Sequence, residues 1–336
     1  MWQMYMIMFY FTLMLGSLTA ISSSSWLITW MGLEVNLLAL MPLMTYKNNK
    51  QSSEATIKYF LIQAMASALF LMGSIYYILF MQYNFLTEMS SSLIMTMALL
   101  LKIGMAPFHT WLPEVASGLN WKNNFIILTW QKLAPMIIMF NMSLYPTLLS
   151  IIIMMSSFIS GIQGLNQTCL RKILAYSSIN HSSWMMTAII SSMMLWLCYF
   201  TIYILINSIL IYIMYKNNMN NIKQITKMLN NNKTMKFMFM LNFLNLGGLP
   251  PFLGFFPKWL IIMDLVKNKL YFLATIIIIL TLITLYFYVR ISLFSFSINN
   301  DESLLNFFSK NNYYFMWMNM LILLSLMSCT YYTNFS

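Results

Sequence analysis

Long apolar runs, separated by short polar turns, extend over almost the whole chain of 336 residues. A helix needs about 20 predominantly apolar residues to cross the ~30 Å hydrocarbon core of a bilayer. Runs of that length occupy residues 1–21, 26–46, 56–81, 91–119, 124–142, 145–165, 170–190, 193–215, 235–266, 270–295 and 313–331. The pattern therefore predicts an all-α polytopic membrane protein with about 11 transmembrane helices.

Two of these spans, the fourth and the ninth, are interrupted by residues that break helices. The interrupting residues are Gly104 and Pro107 in the fourth span and Gly247, Gly248, Pro250 and Pro251 in the ninth. A broken helix exposes amides and carbonyls, which membranes tolerate only where protein encloses a polar cavity. The two spans are five apart, so a five-helix repeat would place its second copy upside down, as in transporters with inverted halves. Proline kinks without a function are the alternative.

Residues 216–233 form the only long polar connection. Eight predicted spans precede it and three follow it, and it does not mark a domain boundary. We therefore predict a single transmembrane domain over residues 1–336. Its first five-helix repeat covers residues 1–142, its second covers 145–295, and a terminal helix covers 313–331.

The composition excludes most classes of soluble protein. Hydrophobic residues make up 60% of the chain and charged residues 7%, whereas a typical globular domain has roughly 25% charged residues. Soluble enzymes, disordered chains and nucleic-acid-binding proteins are excluded together, despite the net charge of +11. Cys169, Cys198 and Cys329 are too far apart for a CxxC motif, so we expect no metal or iron–sulfur site.

The basic residues predict an orientation in the membrane. Thirteen of the 18 lie beside even-numbered turns, and only Lys267 and Lys269 lie beside an odd-numbered one. By the positive-inside rule, the N-terminus is expected on the positive side and the C-terminus opposite. The same asymmetry suits an anionic lipid surface. The 35 methionines indicate an AT-rich mitochondrial gene that reads an extra codon as Met, and no Arg-rich presequence precedes the first span.

Four charged residues fall within predicted spans, namely Glu34, Lys102, Lys132 and Lys258. Each charge near the bilayer centre costs about 2.5–3.5 kcal/mol on insertion scales. Such residues persist where they pair, line water or take part in chemistry, so we interpret them as a proton relay. Two structural alternatives stay open, which are snorkelling toward the headgroups and an ion pair between Glu34 and a lysine.

His181 lies in the most polar stretch of any span, within Ser177–Ser183. A histidine can relay protons near neutral pH. Alternatively, it is a neutral imidazole hydrogen-bonded to a serine, and the sequence favours neither. For His109 and Glu114, which follow the first interruption, an interfacial or helix-orienting role is expected.

Four segments together resemble one family. They are 30–36 (WMGLEVN), 102–114 (KIGMAPFHTWLPE), 129–135 (TWQKLAP) and 248–259 (GLPPFLGFFPKW). They are similar to the antiporter-like subunit 2 family of mitochondrial NADH:ubiquinone oxidoreductase, respiratory complex I. The resemblance runs from about residue 26 to residue 259 and is specific as a set.

The resemblance implies an antiporter-like fold of two inverted five-helix repeats, each with a discontinuous helix. It implies that Glu34 is the family's acid paired with Lys102, that Lys132 is the central relay lysine, and that Lys258 is the terminal one. His181 matches the motif's histidine, although Asn180 and Ser183 replace the usual small residues, which leaves its role in doubt.

The resemblance also implies a place in the cell. Family members are membrane-arm subunits of complex I in the mitochondrial inner membrane, with other membrane-arm subunits and lipids as partners. The N-terminus would face the matrix and the C-terminus the intermembrane space. No cofactor is expected in this chain, because other subunits handle NADH, flavin, iron–sulfur clusters and ubiquinone. Animal mitochondrial members lack three N-terminal helices of the long family form, which fits the count of 11.

Two other functions share these features. A self-standing cation/proton antiporter would contain the same lysines and broken helices. A scaffold whose buried charges only hold helices together would tolerate joint replacement of Glu34 and Lys102 by apolar residues, as buried pairs often do.

Overall fold

The computed structural model describes residues 2–45, 49–80, 85–142, 145–222, 224–225, 233–250 and 252–296. This part of the chain is helical and contains no strand, apart from an isolated bridge between Cys169 and Asn221. The chain forms two compact units, Met1–Ile152 and Ile153–Ser336.

The first unit contains seven helices in the described residues. They are α1 (Trp2–Ser22), α2 (Trp26–Met44), α3 (Lys50–Phe80), α4 (Phe85–Ile103), α5 (Trp111–Gly118), α6 (Trp121–Leu128) and α7 (Trp130–Phe140). The helix α8 (Pro146–Leu165) begins at the end of this unit and continues in the second. The others described in the second unit are α9 (Leu170–Ser191), α10 (Met193–Lys216), α11 (Lys233–Gly247), α12 (Phe255–Lys267) and α13 (Tyr271–Phe296).

Six helices in the described part of the chain are long and apolar enough to cross a bilayer, namely α1, α2, α3, α8, α10 and α13. The chain is therefore a multi-pass membrane protein. The predicted fourth, fifth and ninth spans are each divided into two shorter helices. The seventh is a continuous helix, α9, whose serines make it more polar than the six. The predicted span at 313–331 lies outside the described residues, so the count of 11 stays a prediction.

The division of the fifth span corrects our expectation of one continuous helix over residues 124–142. Helix α6 ends at Leu128 and α7 begins at Trp130, with Thr129 between them at φ −117° and ψ −72°. The Thr129 hydroxyl donates to the Phe125 carbonyl at 2.6 Å. A side-chain hydrogen bond to the preceding turn competes with regular helix geometry and often bends the helix.

Helix α9 is the centre of the second unit and contacts α10, α12 and α13. Every residue from Ser177 to Ile189 is buried. The serines of this segment donate to carbonyls three residues earlier, as Ser177 does to Leu174 and Ser183 to Asn180. These local bonds satisfy the hydroxyls, so a polar helix can occupy the core.

In the first unit, α1 and α2 cross at very short range because small residues face each other. A Cβ atom at Gly32 would lie 2.6 Å from the backbone nitrogen of Ala20. One at Gly16 would lie 2.8 Å from the backbone nitrogen of Asn36. Small residues at helix interfaces permit this close approach in membrane proteins. The crossing fixes the part of α2 that contains Glu34.

We expect Gly32→Val to separate α1 from α2 and to destabilise the protein by at least about 1–3 kcal/mol, the usual cost of overpacking. The readout is the thermal unfolding midpoint in detergent. Met31→Val is the matched control, because it introduces the same side chain at a neighbouring position that is 57% exposed. Equal midpoints for the two variants would contradict the close crossing.

Candidate functional site

The first helix break follows Lys102. Helix α4 ends at Ile103 and α5 begins at Trp111, so the interruption that Gly104 and Pro107 predict is present. Gly104 has φ +77°, in the left-handed region that favours glycine. Two carbonyls before the break are partnered by side chains. The indole of Trp111 donates to Leu101 at 3.1 Å, and the amide of Gln63 donates to Lys102 at 3.2 Å.

The Lys102 side chain, 6% exposed, lines a small polar cavity inside the first unit. The lining residues are Leu33, Asn36, Leu37, Tyr59, Gln63, Lys102, Gln131 and Pro135. The space open to the centre of a water-sized sphere is about 10 Å³, which is close to the volume that one water molecule needs.

Three of the lining residues form a hydrogen-bonded chain. The Tyr59 hydroxyl donates to Gln131 Oε1 at 3.4 Å, and Gln131 Nε2 donates to Asn36 Oδ1 at 3.0 Å. The chain joins α3, α7 and α2 beside the Lys102 side chain. Amides and hydroxyls both donate and accept, so these groups can hold a water molecule in more than one orientation.

Glu34 lies half-buried on α2, the helix that also supplies Leu33, Asn36 and Leu37 to the lining of the Lys102 cavity. Glu34 and Lys102 do not form the direct ion pair that the sequence left open. A direct ion pair does link Lys58 and Glu114, whose nitrogen and oxygen lie 2.7 Å apart. Both partners of that pair are about half exposed, and it links α3 to α5, in agreement with the helix-orienting role expected of Glu114.

Lys132 is 2% exposed and lies in the first turn of α7, directly after the unpredicted interruption at Thr129. Its own side chain does not line the Lys102 cavity, but that of its neighbour Gln131 does. The first unit therefore buries two lysines, each beside a point where a helix is interrupted. Snorkelling to the surface does not describe either side chain.

The second break lies between Gly247, the last residue of α11, and Phe255, the first residue of α12. Gly248 has φ +78°, in the left-handed region that favours glycine. The interruption lies where Gly247 and Gly248 predicted it. The amide of Gly254 donates to Asn245 Oδ1 at 2.7 Å, and a Cβ at Gly254 would collide with the Asn245 carbonyl oxygen. Pro250 lies in the turn and is exposed, and Pro251 lies outside the described residues.

Lys258 places its ammonium group against this break. Its Nζ donates to the Gly247 carbonyl at 2.8 Å and lies 5.9 Å from the ring centroid of Trp184. The residue is 7% exposed, and a Cβ at Gly248 would lie 2.8 Å from Nζ. Because Gly248 has no side chain, it leaves room for the ammonium. The carbonyl of Gly247 and the ring face of Trp184 replace part of the hydration of that ammonium.

His181 lies on α9, three residues before Trp184, and is buried. Its Nδ1 is 2.8 Å from the Tyr199 hydroxyl, and its ring centroid is 5.1 Å from that of Tyr203. The expected serine partner is thus replaced by a tyrosine, because the neighbouring serines bond to their own helix backbone. The sequence did not identify the aromatic residues around His181 and Lys258, or the amides around Lys102, as parts of the site. The only sign of them in the sequence was that a polar or aromatic residue occurred inside an apolar span.

No group of three His, Cys, Asp or Glu residues in the described part of the chain is placed to hold a metal ion. The described cysteines, Cys169 and Cys198, form no disulfide. What the described residues of the two units do provide is buried lysine amines beside interrupted helices, with the His181 imidazole in the second unit.

Comparison with known proteins identifies the family. Residues 23–284 match the family described as NADH:quinone oxidoreductase/Mrp antiporter, transmembrane. The chain is 45% identical to the NADH-ubiquinone oxidoreductase chain 2 of Anopheles gambiae over 91% of this chain and 89% of that protein. It is 41% identical to that of Locusta migratoria over 88% of this chain and 87% of that protein.

Solved structures show the same fold. A chain of respiratory complex I from Thermus thermophilus has a TM-score of 0.85 at 21% identity, with 96% of this chain and 78% of that chain covered. The matches in sequence and the match in structure each cover most of this chain. The chain therefore belongs to the NADH-ubiquinone oxidoreductase chain 2 family, within the NADH:quinone oxidoreductase/Mrp antiporter transmembrane proteins.

Proposed function

We propose that the chain is a proton-translocating membrane-arm subunit of NADH:ubiquinone oxidoreductase that carries no redox centre. The observation that carries the proposal is a buried lysine beside a broken helix in each compact unit, Lys102 in the first and Lys258 in the second. A membrane protein keeps such costly groups where they serve transport. The names of the relatives supply the identity of the complex.

In the first unit, the proposed switch is the interaction between Glu34 and Lys102. A carboxylate that approaches an ammonium favours its charged form, and one that withdraws favours release of the proton. Because Glu34 and Lys102 do not form a direct ion pair, a modest movement of α2 would change the distance between them in either direction. The amides and hydroxyl around the cavity would support a water molecule that receives the proton.

Lys132 is the proposed acceptor after Lys102. It follows Gln131 in the sequence, and Gln131 contributes to the hydrogen-bonded chain of the cavity. In the second unit, the bond from the Lys258 amine to the Gly247 carbonyl ties the proposed proton site to the second break, so a movement of the break would change the surroundings of that site. His181 is a further candidate for the relay there. We propose the order Lys102, Lys132, Lys258, with the last opening to the opposite face.

Energy for this transfer would come from quinone reduction in other subunits, which would also bind NADH, flavin, iron–sulfur clusters and ubiquinone. In this proposal the protein lies in the mitochondrial inner membrane with its N-terminus in the matrix and its C-terminus in the intermembrane space. Two inverted five-helix repeats and a terminal helix, 11 spans in all, belong to the same proposal. Its partners are other membrane-arm subunits and anionic lipids.

A self-standing cation/proton antiporter is the second candidate. The matched family description names Mrp antiporters beside NADH:quinone oxidoreductases. A chain of the Mrp complex from Dietzia shares the fold, with a TM-score of 0.78 at 12% identity over 95% of this chain and 74% of that one. We expect the protein, extracted in mild detergent and run on a native gel, to migrate with many other subunits and with NADH dehydrogenase activity. Migration alone or as a small oligomer would favour the antiporter.

Neutralising Lys132 should abolish proton transfer. We expect Lys132→Met to lower proton pumping at least about a hundredfold, the scale lost when a positioned acid–base group is removed. The complex should still assemble, because methionine fills a similar volume. Pumping is measured with a pH-sensitive dye in sealed vesicles, beside the quinone reductase rate. Lys122→Met is the control, because Lys122 is exposed on the preceding helix. Unchanged pumping in Lys132→Met would remove this residue from the relay.

The two adjacent glycines of the second break offer a matched pair. Gly248→Ala would place a Cβ 2.8 Å from Lys258 Nζ and would force alanine to φ +78°, which costs about 1–2 kcal/mol for the backbone alone. Gly247→Ala meets its nearest neighbour, the Tyr288 ring, at 3.4 Å. We expect pumping to fall strongly in the first variant and much less in the second. Similar rates would show that the position of the Lys258 ammonium does not matter.

A further inference from the structure

A cavity in the second unit lies away from Lys258 and has a volume of about 650 Å³. It forms where α8 ends, α9 begins and the last turns of α13 meet the connection that follows α10. The lining residues are Leu165, Asn166, Gln167, Thr168, Asn221, Ile222, Arg290 and Ile291. Volumes of 300–1,000 Å³ are typical of pockets for small ligands.

Arg290 is the charged residue of this cavity. Its guanidinium donates to the carbonyls of Leu165 and Gln167, and both of these partners are neutral. A guanidinium carries five N–H donors, so two bonds leave most of them for another acceptor. Its positive charge lies half-buried without a carboxylate in hydrogen-bonding contact among the described residues.

The surrounding charges are of the same sign. Arg171, Lys172 and Lys216 occur at the same end of the unit, at the start of α9 and the end of α10. Among residues 153–296 the one acid is Asp264. It lies near the end of α12, and α13 runs from there to the cavity. Asp301 and Glu302 follow α13 outside the described residues. The described charges at this end of the unit are therefore all basic, which favours an anion.

The remaining lining restricts the class of anion. Leu165, Ile222 and Ile291 are apolar and come from the ends of membrane-crossing helices or from beside them, whereas Asn166, Gln167, Thr168 and Asn221 are polar. The cavity combines a basic group with apolar walls and lies at the end of apolar helices. Such a lining suits an amphiphilic ligand, which has a charged head and an apolar tail. Basic pockets between helices on the positive side of a membrane bind anionic headgroups, and arginine pairs with phosphate through two parallel hydrogen bonds.

We propose that this cavity binds one anionic phospholipid, with its phosphate on Arg290 and its glycerol and upper acyl chain against Leu165 and Ile222. The shared chemistry is a phosphate group, which a soluble phosphate could also supply. The volume and the apolar walls favour the lipid, because inorganic phosphate would leave most of the cavity unused. The site is independent of the proposed proton relay.

The test uses the full-length protein, extracted in mild detergent with the subunits that accompany it and stripped of lipid. Phosphatidylglycerol, phosphatidylcholine and inorganic phosphate are titrated separately, and bound lipid per chain is counted by mass spectrometry. Competition by inorganic phosphate is measured at saturating phosphatidylglycerol. We expect saturable binding of phosphatidylglycerol that neither of the other two compounds reproduces or displaces.

Two variants locate the site. Arg290→Gln should weaken phosphatidylglycerol binding by about tenfold or more, the effect of losing a charge-assisted hydrogen bond. Because Arg290 also holds the end of α8, Asn221→Trp provides a second variant that fills the cavity and leaves Arg290 and its two carbonyl bonds in place. It should weaken binding to a similar extent. Lys216→Gln, which removes a charge at the same end but outside the cavity lining, is the matched control.

Three outcomes would overturn the proposal. Equal binding of phosphatidylcholine would show that the anionic charge is irrelevant. Displacement by inorganic phosphate would assign the cavity to a soluble phosphate instead of a lipid. Unchanged binding in Asn221→Trp, or an equal loss in Lys216→Gln, would show that the lipid binds to the basic end in general and not in this cavity.

Discussion

The structure depends on the burial of lysine ammonium groups inside a membrane protein. Each of Lys102, Lys132 and Lys258 is less than a tenth exposed, although an uncompensated charge in hydrocarbon is unfavourable by several kcal/mol. Each of these lysines lies beside an interrupted helix, and the polar groups that an interruption takes out of regular helical bonding provide polar surface at depth. For Lys258 the compensation is direct, through the carbonyl of Gly247. For Lys102 it is a polar cavity, to which α2 contributes Asn36. The close packing of α1 against α2 fixes the position of that part of α2.

In the proposed relay, the same elements that hold these lysines also let their surroundings change. A lysine bonded to a carbonyl in a glycine-rich break is tied to the conformation of that break, and the distance between Lys102 and Glu34 depends on the position of α2. The groups around Lys102 that can orient a water molecule, namely Tyr59, Gln131 and Asn36, carry no charge. The proposed relay needs both kinds of group, whereas the alternative of a structural ion pair would bring Glu34 and Lys102 into contact.

The sequence predicted those features that depend on local chemistry. Glycine and proline interrupt helices, so both breaks could be located, and the backbone is left-handed at Gly104 and Gly248. Charged residues in apolar runs identified the buried lysines. The break at Thr129 could not be predicted, because threonine and tryptophan are compatible with a helix and tertiary packing decides the outcome. The partners of the lysines also required the fold. Gln131 and Asn36 are 95 residues apart, and Trp184 faces Lys258 only because α9 packs against α12.

The most direct test of the central claim is a map of the membrane protein at a resolution that shows ordered water. The account predicts a water molecule in the cavity beside Lys102, within hydrogen-bonding distance of its Nζ and of Gln131 or Asn36. It also predicts that the Lys258 ammonium remains on the Gly247 carbonyl in at least one state of the enzyme. A dry cavity closed by apolar side chains, with the ammonium groups turned to the headgroups, would contradict it.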